Sequence, residues 1–440
     1  MIKLEILPAK DGLVKGQENT VNLLLRASAQ QNKSANSNLR SSLNLSLVID
    51  SSGSMYGRPF AEAKKCAEIL IDRLGEKDQL SVVTYSDSAN LVFPMTKVSN
   101  KALLKHLISG ISAGGMTALH DGWSLGANQA MQSSKKSNFS RILLLSDGQA
   151  NRGITDLEMI SSDCKNLAEE GVSTSTYGLG LNFNETLMTE MARLGQGQSH
   201  YGQTADDLMD PFNEEFDLMQ AIIGRQIKLN ILSKAGISYE VLNDYPRDLE
   251  GNFILPDLAH DWDLWALIKV NIAEDICNKP IGSLVELLSA QLEFADIEGV
   301  KFKSDTIKYN AKIVSKKSFE AQKINKTVEQ RSIELRAASL QDQAYNAAKY
   351  DDWVRVDQVI KELDSIACYN EWLKASLENL KVYSNDRNRE RFSKEVHYKS
   401  RHMRQRRVFR EESIDKYDAL LESLAPSYLQ RKLEQGKKKL

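Results

Sequence analysis

The chain has 440 residues, enough for two or three domains with their own cores, and its 42% hydrophobic and 26% charged residues describe an ordinary globular protein. A formal net charge of −2 excludes general attraction to nucleic acid or anionic membrane, so any such affinity must come from a local patch. No stretch approaches the roughly 18 uninterrupted apolar residues of a membrane span, and the start, MIKLEILPAKDG, lacks the apolar core of a secretory signal.

The four cysteines, Cys66, Cys164, Cys277 and Cys368, lie far apart with no C-x-x-C. That spacing suits neither a zinc site nor a disulfide framework. Cys66 and Cys164 fall within helix-like patterns, as small core residues do. A reduced, cytoplasmic protein is expected.

In chain order, IKLEIL and TVNLLLRASA alternate as strands. Gln30–Ser42 is polar, with the composition of a linker. From Leu43 strands alternate with helices. LNLSLVID reads as a buried strand, and Pro59 opens the helix FAEAKKCAEILIDRL at the position a first turn tolerates. QLSVVTYS and LVFPM are strand-like, KALLKHLISGI is helical, and the pair Gly114–Gly115 precedes a further helix to about Gln132. RILLLSDG and VSTSTYGLG are strands; TDLEMISSDCKNLAEEG and NETLMTEMARLG are helices. Such alternation over 43–223 predicts a doubly wound, mostly parallel sheet covered on both faces.

Over 224–318 the period becomes two, in segments such as RQIKLNIL, DLWALIKVNIA and TIKYNAKIV, which predicts an antiparallel β-sandwich. Residues 1–29 share that period and are expected to pair with this sandwich, making the α/β domain an insertion. The region 319–440 is helical. There Trp353, Val356, Ile360, Leu363 and Ala367 share one helix face, and Ala344, Ala347 and Ala348 permit a close second helix, a pair reminiscent of tetratricopeptide hairpins. Within it, residues 386–410 pack Arg and Lys around Phe392, Tyr398 and Phe409. That stretch could serve RNA, single-stranded DNA or an acidic protein surface, or lie as a solvated helix.

Three oxygen-rich stretches fall at or near strand ends: Asp50, Ser52 and Ser54; Thr117; and Asp147. Ligands of an open α/β sheet bind at such carboxyl ends. Two carboxylates with hydroxyls and water make a hard oxygen cage of the kind Mg²⁺ takes, and neither imidazole nor thiol is present to favour zinc or copper. A plain N-cap and turn before the Pro59 helix is the simpler account of Asp50 taken alone.

The set D-x-S-x-S (Asp50-Ser51-Ser52-Gly53-Ser54), Thr117 in GGMTALHDG and Asp147 in LLLSDGQAN resembles the metal-ion-dependent adhesion site of von Willebrand factor A domains. Met116 stands where a small residue is expected. The resemblance covers about Leu43 to Ile223. It implies a non-enzymatic binding module holding Mg²⁺, or Mn²⁺ or Ca²⁺, through Asp50, Ser52, Ser54, Thr117 and Asp147. A partner's Asp, Glu or C-terminal carboxylate would then complete the shell. The flanking regions are reminiscent of bacterial members and, distantly, of inter-alpha-trypsin-inhibitor heavy chains. Intracellular relatives serve in assemblies with AAA⁺ ATPases, or in kinase–phosphatase signalling, stress or defence.

Enzymatic readings are less well furnished. A phosphoaspartate phosphatase would need an aspartate where Ser52 stands, and no P-loop occurs. A hydrolase would take His120 as its base, without a G-x-S-x-G elbow. His200 reads as an ordinary strand-end residue. The expectation is therefore a metal-dependent adaptor, with a nucleic-acid factor using the basic helix as the alternative.

Overall fold

The computed structural model describes residues 2–29, 42–132, 139–147, 149–180, 183–202, 204–260, 262–367, 371–405 and 408–409. The linker read at Gln30–Ser42, apart from Ser42, lies outside the described residues, as does Cys368. The chain opens with β1 (Ile2–Pro8), β2 (Leu13–Val14) and β3 (Asn19–Ala29). β1 and β3 form an antiparallel pair from Ile2↔Ala29 to Pro8↔Leu23.

The α/β unit follows as β4 (Leu43–Asp50), α1 (Arg58–Arg73), β5 (Gln79–Tyr85), β6 (Ala89–Lys97), α2 (Lys101–Ser109) and α3 (Leu119–Gln132). It continues as β7 (Phe139–Ser146), α4 (Leu157–Glu169), β8 (Val172–Leu179), α5 (Glu185–Leu194), β9 (Gln196–Gly202) and α6 (Ala205–Gln220). The sheet order is β6-β5-β4-β7-β8-β9. β5 and β6 pair antiparallel; the other neighbours are parallel. β4 sits centrally with every residue buried, which is why its sequence is an apolar run rather than an alternation. One face packs on α1, α2 and α6, the other on α3, α4 and α5. From β4 the chain builds outward one way through β5 and β6, then returns to β4's other side with β7. The order therefore reverses between β4 and β7, and Asp50 and Asp147 lie at the carboxyl ends of those two strands.

Two elements of the α/β unit were not read from the sequence. β9 carries polar residues, and its Gly197 lies so close to β8 that a Cβ would sit 2.0 Å from the Thr174 carbonyl. α6 starts with a Thr204–Asp207 capping box but contains Pro211, which hides it from periodicity.

The threonine loop is held in place by how closely α3 approaches the sheet. A Cβ on Gly126 would lie 2.4 Å from Val48 Cγ2, and one on Gly122 2.4 Å from Tyr85 Cδ1. Gly126→Ala should cost about 1–3 kcal/mol despite alanine's better helix propensity, because Val48 is a stiff core residue. Urea unfolding measures this; a stabilised variant would refute the packing argument.

The second half supplies β10 (Ile222–Ser233), β11 (Ile237–Val241), β12 (Phe253–Leu255), β13 (Leu258–Ala259), β14 (Trp262–Ile272) and the short α7 (Glu274–Cys277). β15 (Leu284–Ala295), β16 (Lys301–Lys303) and β17 (Ile307–Val314) complete it. β14 pairs with β3 from Asp263↔Ser28 to Ile272↔Asn19, giving one sheet of order β1-β3-β14-β11. The facing sheet runs β12-β10-β15-β17-β2. Leu4, Leu23 and Leu25 share a core with Leu229, Leu264, Ile268 and Leu292. The α/β unit is thus inserted between β3 and β10 of a β-sandwich.

The helical region comprises α8 (Lys316–Glu320), α9 (Lys326–Lys349), α10 (Trp353–Ala367), α11 (Glu371–Asn385) and α12 (Arg389–Gln405), then the two-residue β18 (Val408–Phe409) against β14. The predicted α10 face packs on Ala344 and Ala348, with Ala347 half-buried. Among the described residues the hairpin does not open into a repeat array: α12 returns onto α9 and adds Phe392, Val396 and Met403 to the same core. In the described part of the basic stretch, Lys394 donates to the Phe183 carbonyl at 2.8 Å and pairs with Glu185 at 3.0 Å. Lys399 pairs with Glu395, Arg401 with Glu190 and Asp244, and Arg404 with Asp342. Lys394 and Arg401 thus tie α12 to the α/β unit, Arg401 also reaches Asp244, and Arg404 donates to the Leu242 carbonyl at 3.2 Å, while Lys399 pairs within α12. Among the described residues, no helix is long and apolar enough to cross a membrane.

Candidate metal centre

Asp50 ends β4 with its carboxylate buried. One oxygen accepts from the Ser52 N–H at 2.9 Å, the other from Ser146 Oγ at 2.7 Å. Both oxygens are therefore engaged in shaping the loop. Beyond it Ser51 is tied to the Tyr85 carbonyl by its N–H and its hydroxyl. A 3₁₀ turn at Gly53–Met55, pinned by the buried Met55, then brings Ser52 Oγ within 3.1 Å of Ser54 Oγ. Ser54 Oγ donates to Asp147 Oδ1 at 2.9 Å.

Backbone bonds bring the threonine loop to this turn. The Gly53 N–H donates to the Gly115 carbonyl at 2.9 Å, and the Gly114 N–H to that of Ser51 at 2.8 Å. Gly115 has φ +90°, and a Cβ there would strike Asp87 at 2.6 Å, so this position needs glycine. Thr117 is clamped to the third loop: its N–H donates to Asn151 Oδ1 at 2.8 Å, and the Asn151 N–H to its carbonyl at 3.1 Å.

Of the five residues read from the sequence, Ser52, Ser54 and Asp147 form one chain of close oxygens. Asp50 is joined through Ser52 and Ser146, and Thr117 through its loop. Ser146 and Asn151 were not singled out by sequence reasoning. Both lie inside the segment LLLSDGQAN, yet their role as hydrogen-bonding supports depends on loop geometry that no local pattern encodes.

The electrostatics of these loops favour a cation. Burial raises the Asp50 carboxyl above the usual range, against hydrogen bonds from Ser52 and Ser146. Asp147 is pushed up to about 6, first by burial, with the nearby Asp50 charge adding and the Ser54 hydrogen bond opposing. A positive ion would relieve both strains. The donors are oxygens, mostly hydroxyl, and among the described residues no group of three or more His, Cys, Asp or Glu is arranged to hold a metal ion. The residues present therefore fit a hard divalent ion whose charge they would only partly neutralise.

The other sequence candidates have different roles. His120 Nε2 lies 2.9 Å from Asp163 on α4. His200 is not an ordinary strand-end residue: it is buried, with Nε2 3.0 Å from Glu215 on α6 and Nδ1 3.4 Å from the Tyr398 hydroxyl on α12. Cys66, Cys164 and Cys277 are free and buried, and burial pushes the Cys66 thiol up to about 12.

A doubly wound sheet with hydroxyl-bearing loops at its reversal defines a class. Residues 44–213 match the von Willebrand factor type A domain, and this part of the chain is such a domain. Domains of this class are commonly metal-dependent protein-interaction modules. The chain is 33% identical over 190 residues to the uncharacterized protein YfbK of Escherichia coli K12, covering 43% of this chain and 33% of YfbK. It thus spans about a third of that relative's length. Among solved structures, a von Willebrand factor type A protein from Catenulispora acidiphila matches with a TM-score of 0.67 at 17% identity, over 90% of this chain and 96% of that one. The ArnB paralog VWA2 from Sulfolobus acidocaldarius matches with a TM-score of 0.58 at 18% identity, over 92% and 98%. At these identities the structural likeness concerns fold, and it extends over the sandwich and helices as well as the inserted domain.

Proposed function

We propose that the chain is a non-enzymatic adaptor that binds a protein partner through a divalent ion held by Asp50, Ser52, Ser54, Thr117 and Asp147. The observation that carries this reading is the run of close oxygens Ser52–Ser54–Asp147 at the strand-order reversal. Mg²⁺ suits an all-oxygen site best, with Mn²⁺ and Ca²⁺ as the other hard candidates. When bound, the ion supplies an electrophilic position that an Asp, a Glu or a C-terminal carboxylate can fill. The chain's own residues do the rest: Asp50 fixes the serine turn, Asn151 fixes the Thr117 backbone, and Asp147 and the hydroxyls would hold the ion. A cytoplasmic, bacterial multiprotein assembly, of AAA⁺ or kinase–phosphatase type, is the setting we infer for such an adaptor.

Metal binding is tested directly by electron paramagnetic resonance of Mn²⁺ with the full chain. Saturable Mn²⁺ binding displaced by excess Mg²⁺ is expected, and Asp147→Ala should weaken it by at least about tenfold. A wild-type chain that leaves Mn²⁺ free in solution would end this reading.

A further inference from the structure

The three loops that carry the proposed ligands also carry three exposed side chains that the ion does not need. Tyr56 lies two residues past Ser54 and is 79% exposed, while its neighbour Met55 is fully buried and anchors the turn. Met116, directly before Thr117, is 45% exposed. Arg152, directly after Asn151, has a half-exposed side chain with Nη1 3.0 Å from Asp87 Oδ1 and 3.8 Å from Met116 Sδ. The Asn151–Thr117 clamp and the Gly53–Gly115 bond keep these loops in fixed register.

We infer that this rim selects the partner: an acidic segment whose ion-binding carboxylate has an apolar neighbour and a second carboxylate close by. The inference rests on the metal-dependent binding proposed above. Tyr56 and Met116 offer exposed apolar surface on two of the loops that carry the proposed ligands, and covering it removes that surface from water. Thioether and phenol are adaptable contacts, suited to an aliphatic or aromatic side chain. Arg152 is the rim's cation. Its pair with Asp87 is exposed on both sides, and such pairs are worth about 0–1 kcal/mol, so it exchanges readily. A guanidinium presents five donors, and an incoming carboxylate can engage it bidentately while the Met116 side chain covers one flank. Asp87 remains anchored meanwhile, because it also accepts from the Met116 N–H at 3.3 Å. A neutral or basic segment would leave the ion's residual charge unanswered and gain nothing from Arg152, which would keep its exposed pair with Asp87.

The probe is a random-peptide phage library panned on the full chain in Mg²⁺ and eluted with EDTA. The EDTA-eluted peptides are then remade and titrated by fluorescence polarisation against wild type, Arg152→Gln and the Tyr56→Ser/Met116→Ser double variant. All three proteins are compared at equal Mn²⁺ occupancy, so that metal loss is not mistaken for rim loss. The expected peptides carry an apolar–acidic pair with a second acid nearby. They should lose about tenfold in affinity with Arg152→Gln and about as much with the double variant. EDTA-eluted peptides that lack this pattern, or that bind Arg152→Gln as well as wild type, would overturn the rim while leaving metal-dependent binding intact. A chain that holds Mn²⁺ yet yields no EDTA-eluted peptide would overturn both.

Discussion

Replacing Glu215 by alanine should destabilise the protein by about 3–5 kcal/mol, because Arg141 would be left buried with its main counter-charge gone. Arg141 is fully buried in β7. Its Nη1 lies 2.6 Å from Glu215 Oε1, its Nε donates to Ser173 at 2.8 Å, and Asp257 approaches at 3.4 Å. Glu215 also accepts from Ser175, from Tyr177 at 2.5 Å and from His200. Asp257 belongs to the sandwich half and Tyr398 to α12, so the cluster joins all three regions. Burial by itself would raise the Glu215 carboxyl, but the His200 hydrogen bond and the Arg141 charge outweigh it and hold the group down at about 2. A carboxylate depressed from an ordinary 4.5 contributes stability that is complete above about pH 4.5 and disappears as the pH falls towards 2. Urea titrations of wild type and Glu215→Gln should show a gap at pH 7 that narrows steadily below about pH 4.5. A gap independent of pH would mean that Glu215 stabilises by packing alone.

This cluster also marks where sequence reading runs out. β4 and β7 are legible because buried parallel strands must be continuously apolar, and the N-terminal strands because a half-buried strand must alternate. Their partnership with β14 could be inferred from the shared period, since they had no place in the parallel sheet. The grouping of Ser52, Ser54 and Asp147 follows from strand topology, which places loops from adjacent strands together. What sequence cannot convey is which polar residues meet across distant elements. Arg141 reads as the polar first letter of RILLLSDG, His200 as a strand end, and Glu215 sits in a helix whose Pro211 conceals its pattern. The basic stretch shows the same limit. Charge density is visible in sequence, but the carboxylates of Glu185, Glu190 and Asp342 that answer it come from other helices.

Thr117→Ala should abolish metal-dependent partner binding while leaving the fold almost unchanged. The two halves of that statement have separate physical causes. Stability is spared because both Asn151 clamps go to the Thr117 backbone N–H and carbonyl, which alanine retains, and the loop lies above the core. A small cost remains from the buried methyl group, and any further shift from metal linkage vanishes when wild type and variant are compared in EDTA. Binding is lost because the hydroxyl is one of few ligands proposed for an ion that a partner carboxylate must also contact. Removing one side of such a buried charge contact costs about 2–5 kcal/mol, or roughly thirtyfold to several thousandfold in affinity. The measurement is retention of partner proteins on immobilised wild type and Thr117→Ala, each in Mg²⁺ and in EDTA. Retention by wild type in Mg²⁺ alone is the expected result. Equal retention in all four conditions would move the partner surface away from the ion, to the helical region where α9 and α12 pack.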